Sequence, residues 1–256
     1  MRKILSVAVN TFRESVREKI LYLVILYAIA LMISVFILSP LSVGAAKGKL
    51  VTDIGLAGIS IFGIFTAIIV GSNLVHKEVD NKAVLMVLTR PISRAGYLAG
   101  KFAGVLLSLL VLSGIMTAVL VFMMLVGRAP MHPALFPAIA LSIVEIGLII
   151  AVMIFFSTFT TPLLTSFFTV CIFVAGHLSG DLRTFAQKFG GRAMNYVMDF
   201  LYFTLPNLKV FNLRHEAVHD LRFTASEVLR PAAYGIVYTA AMLYFAWLVF
   251  RNREFS

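Results

Sequence analysis

HKEVDNKAVLMVLTRPISRAGYLAGK, residues 76–101, is a charged run set between two long apolar segments. It carries five basic residues (Lys77, Lys82, Arg90, Arg94 and Lys101) and is broken by Pro91. From Lys82 to Leu88 the pattern is short and mostly apolar, with Ala83, Val84, Leu85, Val87 and Leu88. Pro91 forbids continuing a helix, because it has no amide hydrogen and its ring crowds the preceding turn. Ser93 is then placed to cap a new helix leading into the next apolar run. The stretch predicts a short amphipathic helix, a sharp turn and a return to the apolar phase. On these residues alone it is either an ordinary basic loop or a stiff lever between two spans.

The flanks set the fold class. The 256 residues are 60% hydrophobic and only 13% charged, too little charge for a soluble surface. Apolar runs of about eighteen residues or more with almost no charge are membrane spans. The expectation is an all-α polytopic membrane protein, one transmembrane domain over 1–256, with six spans at about 20–39, 54–75, 102–126, 135–159, 162–178 and 232–250. The elbow, 76–101, joins the second and third spans, and a polar segment, 179–231, precedes the sixth. Within it AMNYVMDFLYFTLP, 193–206, is apolar but too short to cross, and predicts an interfacial helix or a re-entrant lid. The first apolar run begins at Ile20 and is too long for a signal-peptide core, so no cleaved leader is expected. The single cysteine, Cys171, lies in an apolar run and is expected to pack.

The net charge of +10 flanks the spans, where it fixes orientation and meets anionic lipid, and nucleic acid is not an expected partner. Placing both termini in the cytoplasm puts Arg2, Lys3, Arg13, Arg17, Lys19, the elbow's basic residues, Arg251 and Arg253 inside. The protein is therefore expected in a cytoplasmic (inner) membrane as a multi-pass chain. Residues 1–19 predict an amphipathic interface helix, with Leu5, Val9, Phe12, Val16 and Ile20 on one face and Asn10, Arg13, Glu14, Arg17 and Glu18 on the other.

Four further features carry candidate chemistry or packing. Gly96, Gly100 and Gly104 recur at steps of four, a nearly bare helix face that permits close approach, within the subunit or across a dimer seam. Glu145 is the only charge deep in a span, which is costly, and it is expected to line a pathway or hold a neighbouring helix. His177 and Asp181, at the predicted end of the fifth span, are expected to reach the headgroup level. His215-Glu216-Ala217-Val218-His219 matches H-E-x-x-H, which on a helix puts two imidazoles on one face for zinc. Only Asp220 or Glu227 is near enough in sequence to complete a ligand set. A membrane-bound zinc protease using His215, Glu216 and His219 is thus one alternative function, and an ion-coupled carrier using Glu145 is another.

The elbow resembles the cytoplasmic loop of ATP-binding-cassette type-2 transporter permeases. The resemblance rests on Glu78, Lys82, Leu88-Thr89-Arg90-Pro91-Ile92-Ser93-Arg94 and Gly100-Lys101-Phe102. The amphipathic start, six spans, Pro206-Asn207 with Phe211-Asn212, and the basic tail Arg251–Arg253 extend it over nearly the whole chain. It implies a permease, an exporter by family habit, that is no enzyme itself. Its loop would carry a coupling helix docking into a separate ATPase subunit through Glu78, Asp80, Lys82, Val84, Leu85, Leu88, Arg90, Pro91 and Arg94. It also implies a second permease copy or paralogue as partner. No G-x-x-x-x-G-K-(S/T) phosphate loop occurs in the chain, so ATP and Mg are expected on the partner subunit and no cofactor on this one.

Overall fold

The computed structural model describes residues 2–17, 20–38, 46–80, 93–127, 131–219, 221 and 223–251, and no strand occurs among them. In chain order the helices are α1 (Arg2–Arg17), α2 (Ile20–Leu38), α3 (Ala46–Asp80), α4 (Arg94–Val126), α5 (Leu135–Ser157), α6 (Pro162–Phe189), α7 (Arg192–Thr204), α8 (Arg214–His219) and α9 (Ala225–Arg251). A single 3-10 turn, Leu208–Phe211, sits between α7 and α8. Five described helices are long and apolar enough to cross a membrane: α3 over Gly48–Ser72, then α4, α5, α6 and α9. The described apolar stretch of α2, Val24–Ile37, is shorter.

The helices outrun the apolar runs that announce them. No proline lies between Ala46 and Asp80, so residues 46–53, which precede the predicted second span and carry Lys47, Lys49 and Asp53, are the first turns of α3. At 35 residues α3 is about 52 Å long, well beyond a hydrocarbon core of about 30 Å. It also runs past His76 into the elbow as far as Asp80. The predicted fifth span, α6, does not end near Leu178 but continues to Phe189, because nothing before Gly190-Gly191 breaks it. The sixth apolar run is entered at Ala225, seven residues early, with Glu227 accepting from the Thr224 amide at 2.7 Å and Pro231 tolerated inside the helix. Much of 179–231 is therefore helical, including α7, the short apolar piece.

The core forms around α5, which packs on α3, α4, α6 and α9. Ile146 and Leu148–Ile154 are buried along its whole circumference. Helix α3 fits its neighbours through glycines: a Cβ at Gly58 would meet the Tyr27 ring at 2.5 Å, one at Gly63 Ile146 at 2.5 Å, and one at Gly71 Met153 at 1.7 Å. Buried Tyr27 also donates its hydroxyl to the Gly55 carbonyl at 3.3 Å, tying α2 to α3. In a bilayer, where lipid is as apolar as leucine, such close packing is what holds helices together.

The glycine ladder of α4 has its partner within the subunit. A Cβ at Gly100 would lie 2.9 Å from Val7 and 3.2 Å from the Ile4 carbonyl, and one at Gly104 would lie 2.6 Å from the Ala8 carbonyl. Helix α1 is seated there backbone to backbone. The face it buries in the subunit is a small one, with Ala8, Thr11 and Ser15 buried. Leu5 and Val9 stay exposed, because the ladder has room only for small side chains and leaves the large ones pointing away.

Candidate functional site

Near the middle of α5 the Glu145 side chain is buried, 5% exposed, and its Oε1 makes no hydrogen bond among the described residues. His177 of α6 places Nε2 3.4 Å from that oxygen. The imidazole is held by Nδ1, 3.3 Å from the Phe173 carbonyl one turn back. His177 is thus turned toward Glu145 and not, as expected, out to the headgroups. Twelve more helical residues follow it in α6, which keeps it away from the helix end. Asp181 does lie at the outer surface, joined to Lys209 at 2.6 Å.

These two side chains line a cavity of about 240 Å³ between α3, α5, α6 and the segment before α8. Ser60 of α3 and Ser142 of α5 add hydroxyls to it and bond each other at 3.2 Å. Leu56, Phe173 and Phe211 supply apolar wall. A polar group buried without a full set of partners is expensive, so Glu145 facing a hollow with hydroxyls is a group that a polar ligand could satisfy.

The cavity is covered from the α6–α9 side by the 3-10 turn and α8. Leu208 and Phe211 are fully buried. Gly176 lets the chain come close, since a Cβ there would stand 2.6 Å from the Pro206 carbonyl. The Asn207 amide donates to the Tyr234 hydroxyl at 3.0 Å, and Tyr238 donates to the Thr204 carbonyl at 3.2 Å, pinning the cover to α9. Asn212 accepts from the Arg214 amide at 3.0 Å and starts α8. Arg214 then forks onto Asp53 of α3, with Nη2 2.7 Å from Oδ2 and Nε bonded to Oδ1. Asn212 and Arg214 also line a second, open hollow of about 690 Å³ with Lys49, Asp53, Lys209, His215 and His219. The fork is therefore the partition between the inner cavity and the outer hollow.

His215 and His219 are one turn apart on α8, ring centroids 4.5 Å from each other. No group of three His, Cys, Asp or Glu suited to a metal forms among the described residues. Glu227, one of the two possible third ligands, is occupied in capping α9, and Asp220 lies outside the described residues.

At the other end of α3 and α4 stand the elbow residues. Glu78 and Asp80 are in the last turns of α3, while Lys82, Val84, Leu85, Leu88, Arg90 and Pro91 lie outside the described residues. Ser93 caps α4 as expected, accepting from the Gly96 amide at 3.1 Å. Arg94 reaches the end of α9, donating to the Phe250 carbonyl at 3.0 Å and the Arg251 carbonyl at 2.5 Å. This suits a cation at a helix C-terminus. Tyr97 stacks on Phe250 with centroids 6.1 Å apart, and Lys101 is buried with Nζ 5.9 Å from the Tyr97 ring. The first two turns of α4 therefore hold α1 on one side and the end of α9 on the other.

Of the candidate residues, the structure brings Glu145 to a cavity, the glycines to α1 and Arg94 to α9. Sequence reasoning missed His177 as the partner of Glu145, and missed Ser60, Ser142, Asp53 and Arg214. The one available signal was a lone acid and a lone histidine in consecutive spans.

The described chain is thus a polytopic helical membrane protein built around a covered polar cavity. A family model described as ABC-2 family transporter protein matches residues 15–205, well over half of the chain. The chain belongs to that family. A comparison with curated proteins finds no match.

Proposed function

We propose that this chain is the membrane-spanning permease of an ATP-binding-cassette exporter and that the elbow, 76–101, is where the ATPase subunit acts on it. Membership of the ABC-2 transporter family supports the permease role. The observation that carries the coupling reading is mechanical. The elbow joins the ends of two helices of 35 and 33 residues, and α3 lines the inner cavity through Leu56 and Ser60. A push between Asp80 and Leu88 is delivered to α3 and α4 together, and through α4 to α1 and the end of α9. Such rigid helices move as bodies about their contacts, with little bending.

In this reading α2 is the first of six spans, both termini are cytoplasmic, and the membrane is a cytoplasmic one. ATP and Mg sit on the partner, which alone hydrolyses the nucleotide. Two permeases, alike or paralogous, form the transport unit. Glu145 lines the route that opens when the Arg214–Asp53 partition parts. The test is reconstitution of the permease with its ATPase in vesicles. Glu78→Arg and Lys82→Glu are expected to leave insertion and ATPase activity in place and to lower transport per ATP several-fold. Unchanged coupling in both would reject the elbow as the point of contact.

A further inference from the structure

The proton between Glu145 and His177 is fixed by hydrogen-bond chemistry. A carbonyl oxygen can only accept, so the Phe173 carbonyl requires a hydrogen on His177 Nδ1. In a neutral ring Nε2 is then a bare acceptor, and it faces Glu145 Oε1 at 3.4 Å. Two acceptors in a buried site repel unless a positive charge stands between them. One proton, on either group, satisfies the pair and leaves it neutral overall. Without that proton the pair carries one negative charge in an apolar wall. Among the described residues that line the cavity from α3, α5, α6 and the cover, the one further charged group is Arg214 at the mouth, which is forked to Asp53.

We propose that the cavity is a binding site for a primary ammonium group, and that the ammonium takes the place of the Glu145–His177 proton. The cation offers three N–H donors. Glu145 Oε1, His177 Nε2 and Ser60 Oγ are acceptors that line the cavity from α5, α6 and α3, and the last has lone pairs to spare because it donates its own hydrogen to Ser142. A bare alkali ion needs about six oxygen ligands, more than these side chains provide. The aromatic face of Phe173 and the Leu56 side chain suit a short alkyl tail, and a volume of about 240 Å³ holds roughly eight waters' worth of ligand. The exchange balances: R–NH3+ enters, one H+ leaves to bulk water, and the charge in the cavity does not change.

This rests on the cavity being a stage of the transport route, but it is tested on the permease alone, so a failure here leaves the elbow reading untouched. The experiment is calorimetric titration of the detergent-solubilised wild-type protein with n-butylammonium chloride, in two buffers of different ionisation enthalpy and over a range of pH. One site per chain is expected, with about one proton released per ligand. Below the pH at which the pair loses its proton, apparent affinity should rise about tenfold per pH unit by proton linkage. Glu145→Gln should abolish binding and proton release, and Ser60→Ala should weaken binding several-fold while keeping the proton count. Sodium chloride at equal ionic strength should not displace the ligand. Binding that is unchanged in Glu145→Gln, wild-type binding without proton release, or no binding at any pH each overturns the proposal. The wild-type proton count decides the matter even if the Gln variant does not fold.

Discussion

A carboxylate buried halfway along a membrane helix needs a partner, and Glu145 has His177 at 3.4 Å across the α5–α6 contact. Removing only the imidazole strands the acid, and a buried polar group left unpaired costs about 1–3 kcal/mol. His177→Ala is therefore expected to lower the melting midpoint in detergent, and adding Glu145→Gln should recover part of the loss. Melting curves of the two single variants and the double variant form a cycle whose interaction energy reports the pair. Strict additivity would mean that the two side chains do not act together. Only one half of the pair was legible. Glu145 stood out because a charge in an apolar run is rare, whereas His177 lay so near the end of its apolar run that a headgroup role accounted for it. Only the continuation of α6 to Phe189, which hydropathy does not register, turns it inward.

At the scale of elements, two contacts decide how the helices move. The first is the seat of α1 on the Gly96–Gly100–Gly104 ladder. Gly104→Val must push α1 away, since its Cβ would meet the Ala8 carbonyl at 2.6 Å, and overpacking of this kind costs about 1–3 kcal/mol. Gly114→Val, at a position with nothing within 4 Å, is the control and should melt close to the wild type. Equal melting of the two variants would contradict the seat. The second contact is the Arg214–Asp53 fork, about 40% exposed on the Asp53 side, so its weight in stability is below about 1 kcal/mol. In the proposed route its role is to close the cavity. In a Cys171→Ser background, a Ser142→Cys probe should react several-fold faster with a membrane-impermeant thiol reagent once Asp53→Ala is added, and no change in rate would deny the fork a gating role. The ladder was legible as a place of close approach because three glycines at steps of four have no other use. Its partner was not, since α1 reads as an interface helix whose large residues meet lipid, and the small face that seats on the ladder carries no hydropathy signal.

For the molecule as a whole, hydropathy was enough to establish a helical membrane protein, and the elbow motif was enough to suggest the family that the match over residues 15–205 now shows. What composition did not register is that 179–231 is built into the bundle. Its buried anchors, Leu208, Phe211, Leu213, Ala217 and Val218 among them, are scattered through a polar segment and carry no clear periodic signal. The resulting picture has two ends. In the proposed function the cover over Glu145 closes one end of the route and the elbow between α3 and α4 is the other, and α3 runs from the Arg214–Asp53 fork at Asp53 to the elbow at Asp80. The most direct measurement is co-purification of the ATP-binding subunit with the full chain and with a chain lacking residues 80–90, both extracted from the membrane at equal yield. The ATPase should be recovered with the full chain and lost with the deletion, and its recovery at wild-type yield with the deletion would contradict the coupling role of the elbow.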